Sequence, residues 1–149
     1  MTTYVTTLGQ RIYLPAGWSK RGAASRLITM RHEAVHLRQF RRYTFVGMSL
    51  LYLLPIVPLG LAIGRARLEW EAYRETITAT FEILGPAAAE ADPFLDHLVL
   101  QFTGPAYGWM WPFPGQVRSW IRRHLDELRA EGTRSGSDAD DDFTQGSKG

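Results

Sequence analysis

From Phe45 to Gly64 the chain runs for twenty positions without one charged side chain, interrupted near its middle by Pro55 and Pro58. A run of that length can cross the hydrocarbon core of a bilayer, about 30 Å thick, as a single helix. A proline inside a helix, however, lacks the backbone donor and clashes with the preceding turn, so Pro55-Ile56-Val57-Pro58 is a natural break. Either the segment crosses a membrane, or its two arms form a hairpin that returns to the side it left. The residues on each side of it decide between these outcomes.

Before the run the chain reads His32-Glu33-Ala34-Val35-His36, an HExxH pattern. Apolar residues at Leu27, Met30, Ala34, Leu37 and Phe40 recur at helical spacing and predict a helix from about Ser25 to Tyr43, with the motif in its middle. Positions i and i+4 share a helix face, so His32 and His36 can converge on one metal ion, while Glu33 lies beside that face. Such a carboxylate can act as general base on a zinc-bound water, whose pKa the ion lowers to about 7, while the ion polarises the carbonyl under attack. That is the chemistry of peptide-bond hydrolysis. With 0 Cys in the chain, any metal site must be built from His, Asp or Glu, and two histidines need a third protein ligand.

After the run comes Leu68-Glu69-Trp70-Glu71-Ala72-Tyr73-Arg74-Glu75, inside a helix predicted from Arg67 to Leu84. Together with HExxH, this segment resembles the gluzincin metallopeptidases, whose third ligand is a Glu on a later helix in an ExxAD or ExxxD pattern. The resemblance spans about Arg31 to Glu75 and implies a Zn2+ cofactor held by His32, His36 and Glu69, with Glu33 catalytic and a peptide or protein as substrate. In that alignment Ala72 is the small residue, and Tyr73 replaces the usual Asp that steadies a ligand histidine. Glu71 with Glu75 offers a competing ExxxE frame, so Glu71 stays open as the ligand. The resemblance also implies a His or Tyr donor to the oxyanion, for which Tyr107 and His97 are the candidates, and a β-strand edge beside the zinc helix for an extended substrate.

A shared site settles the topology of the apolar run. If the run crossed a bilayer, His36 and Glu69 would start on opposite sides, yet Gly64 to Glu69 reaches at most about 17 Å fully extended. Arg31, Arg38, Arg41 and Arg42 argue against a site inside the bilayer itself. The segment therefore returns as a hairpin, either into the protein core or dipping into one leaflet.

The rest of the chain reads as one α+β, mostly α domain over 1–131. It has a short N-terminal β-hairpin (Tyr4 to Thr7 and Arg11 to Leu14), then about four helices: the zinc helix, the helix from Arg67, one from about Ala87 to Phe102 and one from about Gly115 to Ala130. Between the last two lies an aromatic loop with Tyr107, Trp109, Trp111 and Phe113. On the last helix Val117, Trp120, Ile121 and Leu125 share an apolar face, and His124, beside Arg122 and Arg123, reads as solvent exposed. Residues 132–149, with Asp138, Asp140, Asp141 and Asp142, form an acidic tail too poor in apolar residues to fold alone and are expected to be disordered. Ten Arg and Lys residues face only Glu33 in the first 67 positions, a bias that favours an anionic membrane surface as a partner; nucleic acid is not expected. Met1 to Leu8 lacks the basic start and apolar run of a signal peptide, so the expected location is cytoplasmic, with membrane association through the apolar hairpin. The rival to an enzyme is a non-catalytic membrane-surface or protein-interaction module in which His32 and His36 hold a structural metal or none.

Overall fold

The computed structural model describes residues 5–53, 60–104 and 110–145. It is mostly helical, with one two-stranded antiparallel sheet near the N-terminus. Strand β1 (Thr6–Leu8) pairs with β2 (Arg11–Tyr13) in the register Thr6↔Tyr13, Thr7↔Ile12 and Leu8↔Arg11. The two-residue turn holds Gly9 at φ 61, a left-handed conformation that costs glycine little and that such hairpin turns require. Thr7 and Ile12 are the half-buried pair, and their neighbours point to solvent, so one face of the hairpin lies against the protein.

Helix α1 (Ala23–Leu53) is longer than its polar pattern predicts. It continues past Tyr43 into the charge-free run, where Leu and Met favour helix and no proline intervenes before Pro55. Helix α2 (Gly60–Leu84) likewise starts before Arg67. The apolar run thus supplies the end of one helix and the start of the next. The Pro55 to Pro58 break itself lies outside the described residues, as do the side-chain surroundings of most of that run.

The two helices lie antiparallel. His32 meets Thr76 and Gln39 meets Leu68, so moving forward on α1 means moving backward on α2. Arg31 ties them further, bonding Glu75 at 2.5 Å and also Glu82. The chain therefore does return to its starting side. Among the described residues no helix is long and apolar enough to cross a membrane.

The single helix expected over Ala87 to Phe102 is two, α3 (Pro86–Ala89) and α4 (Asp92–Thr103). Pro93 is the cause: in a continuous helix its missing N–H and its ring would disrupt the turn before it, whereas in the first turn of α4 both are harmless. α4 stops at Gly104, where a Cβ would come within 2.6 Å of the Leu100 carbonyl oxygen. Helix α5 (Pro114–Gln145) closes the bundle and extends through most of the segment read as an acidic tail. Residues 131–134 within that extension are exposed.

The core joins α2, α4 and α5 through Ile77, Leu98, Phe102, Val117, Ile121 and Leu125, all at most 4% exposed. Trp70, Phe102, Trp111 and Trp120 stack around it in tilted and edge-on pairs. Fully burying one such large apolar side chain is worth about 1.5–3 kcal/mol. The bundle makes α2 a rigid support, and α1 docks on the face of α2 that carries Glu69, Ala72 and Thr76.

Candidate metal centre

His32 and His36 stand one turn apart on α1 and point at α2. Their Nε2 atoms are 3.2 Å apart, and His36 Nε2 lies 3.7 Å from Glu69 Oε2. The three donor atoms fall within 4.8 Å of one another. Close approach is possible because the facing residue, Ala72, is small and fully buried. The sequence frame Glu69-x-x-Ala72 thus has a packing reason: the carboxylate and the small side chain share one stripe of α2.

Each imidazole is held from its other nitrogen. Thr76 Oγ1 donates to the Ala72 carbonyl at 3.3 Å, which leaves its oxygen to accept from His32 Nδ1 at 2.9 Å. His36 Nδ1 lies 3.0 Å from Gln39 Oε1. With protons on both Nδ1 atoms, both Nε2 lone pairs face the gap between the rings and Glu69. Burial, reinforced by the nearby His36, pushes the His32 pKa down to about 3, so this ring stays neutral and able to coordinate. The donor set fits a metal ion. In a tetrahedral site with metal bonds of about 2.0–2.1 Å neighbouring donors stand about 3.3 Å apart; the 3.2 and 3.7 Å spacings are near this, while the cluster as a whole spans up to 4.8 Å.

Glu33 is on the adjoining flank of α1 and only 7% exposed. Its Oε2 accepts a 2.6 Å hydrogen bond from Thr7 Oγ1 on β1, so the N-terminal hairpin positions the carboxylate without drawing it into the ligand cluster.

Glu71 stands elsewhere. It accepts from Gln39 Nε2 at 3.0 Å and borders an open groove of about 390 Å³ between α1, α2 and α5, with Arg38, Arg42, Arg74 and His124. Glu75 is engaged by Arg31. Tyr73, at the position where the gluzincin pattern has Asp, packs its ring edge-on to His32 at 4.8 Å, and its hydroxyl donates to Gln101 Oε1 at 3.3 Å. Thr76 holds the His32 Nδ1.

His97 is exposed on α4 and bonded to Gln101, which in turn accepts from Tyr73. Tyr107 lies outside the described residues. His124 is not solvent exposed: it is 7% accessible and bridges Thr78 Oγ1, at 2.9 Å, to Glu127 Oε2, at 3.3 Å. The residues that sequence reasoning missed are Thr7 and Gln39, of which only Gln39 carried a local signal, its i,i+3 spacing from His36; Thr76 shares the Glu69 and Ala72 stripe, which marks its face but not its contact with His32.

Compared with protein-family models, curated proteins and solved structures, the chain matches none of them.

Proposed function

We propose that this chain is a zinc-dependent peptide hydrolase on the gluzincin plan, with His32, His36 and Glu69 as metal ligands and Glu33 as general base. The observation that carries the reading is the convergence of two imidazole nitrogens with a carboxylate from a separate helix, within 4.8 Å, beside a second buried carboxylate, Glu33, that is not part of the cluster. Two nitrogens and one oxygen are the donor set of catalytic zinc sites, which leave a coordination position open, whereas imidazoles suit magnesium or calcium poorly. When bound, zinc would supply a Lewis acid that acidifies water and polarises a peptide carbonyl.

The chain's own residues supply the rest. Glu33 takes a proton from the attacking water and returns it to the leaving amine. Thr7 holds one oxygen of that carboxylate, which fixes its direction and leaves the other oxygen free for proton transfer. β1 pairs only with β2 among the described residues, so its outer edge offers backbone donors and acceptors to an extended peptide. Because Thr7 belongs to that same strand, a substrate lying along it would run next to Glu33.

The test is Glu33→Gln. Zinc occupancy and folding should persist, because no ligand is lost, while hydrolysis of an unstructured peptide pool should fall by about 10²–10⁴-fold, the usual share of general-base catalysis. Unchanged turnover would refute the mechanism.

A further inference from the structure

The amide of Gln39 is clamped in one orientation. One end of it meets two acceptors, the Leu68 carbonyl at 2.9 Å and Glu71 Oε2 at 3.0 Å. Neither can donate, so the NH2 group must occupy that end and the carbonyl oxygen must face His36. That oxygen can only accept. His36 Nδ1, 3.0 Å away, therefore carries the ring proton, and in a neutral imidazole the Nε2 is then bare. It is this bare nitrogen that sits 3.7 Å from Glu69 Oε2.

We infer that Gln39 and Glu71 form a positioning relay that selects the metal-binding tautomer of His36. The inference rests on the reading of His36 as a ligand. Gln39 is 3% exposed, so no solvent competes for its hydrogen bonds, and Glu71 contributes the charge-assisted one, which is stronger than a neutral bond. A flipped amide would set three oxygens against one another and present NH2 to His36 Nδ1. The ring proton would then move to Nε2, where the metal should bind. Glu69 and Glu71 leave α2 roughly 200° apart, yet both serve one histidine, Glu69 directly and Glu71 through the amide.

The experiment reads tautomers in the metal-free protein, with nitrogen-15 in the histidines, by long-range proton–nitrogen correlation at about pH 8, where imidazoles are neutral. Zinc affinity is measured alongside by chelator competition. In the unaltered chain His36 should carry its proton on Nδ1. In Gln39→Leu the Nε2–H form should become populated, and zinc binding should weaken by about 10–100-fold, the usual loss for an outer partner of a ligand histidine. Glu71→Gln should shift the tautomer in the same direction to a smaller degree.

If His36 keeps Nδ1–H in both single variants with zinc affinity unchanged, the relay is refuted. It is equally refuted if the unaltered chain shows Nε2–H. Should Gln39→Leu not fold, Glu71→Gln alone decides, since it removes the charged acceptor and leaves the packing. If the unaltered chain binds no zinc, the metal reading fails, while the tautomer of His36 still reports on the relay.

Discussion

His36 Nε2 and Glu69 Oε2 face each other at 3.7 Å across the antiparallel pair α1 and α2, whereas Glu71, two residues on, meets the Gln39 amide instead. This separates two carboxylates that the sequence left in competition. Glu69→Gln removes the charged oxygen from the cluster and should strip zinc during dialysis against a mild chelator. Glu71→Gln should keep zinc under the same dialysis, with affinity weakened by no more than about tenfold, as expected beyond the ligand shell. Loss of zinc from Glu71→Gln with retention in Glu69→Gln would exchange their roles.

His124→Ala should destabilise the fold without touching the metal. The imidazole is buried between α2 and α5, and its removal takes away the partner of the half-buried Thr78 hydroxyl and leaves a gap in the packing. A lost part-buried hydrogen bond costs about 0.5–1.5 kcal/mol and the vacated imidazole adds lost packing, so the melting temperature should fall by a few degrees while zinc stoichiometry stays the same. An unchanged melting temperature would mean that the bridge carries no stability.

Deleting Gly132 to Gly149 should leave the melting temperature unchanged within error. Glu131 to Arg134 are exposed, and the sequence beyond them has little to bury. A drop of several degrees would indicate that the acidic run docks on the basic N-terminal half.

The parts of this protein that were legible in its sequence are those set by spacing along one element. His32 and His36 pair because i and i+4 share a face, and Glu69 shares its stripe with Ala72, which is why it faces α1. The lengths of α1 and α2 were not legible, because a charge-free run has no polar face and so no period to follow. Pro93 was a visible signal for the split between α3 and α4 that the apolar spacing masked. His124 also left a trace: it falls three residues after Ile121 and seven after Val117, on the buried stripe, though Arg122 and Arg123 beside it read as solvent facing. Thr76 follows Ala72 by four residues on that same stripe of α2, whereas Thr7 could not be found this way, because it reaches Glu33 from β1, a relation that only the packing of β1 on α1 creates.

The most direct test of the whole account is the metal content of the purified chain, measured by elemental analysis after preparation without chelator. One zinc per chain is expected, falling to a small fraction in His36→Ala and Glu69→Gln and unchanged in Glu33→Gln. Zinc well below one per chain in the unaltered protein after zinc supplementation, or full occupancy in both ligand variants, would contradict it.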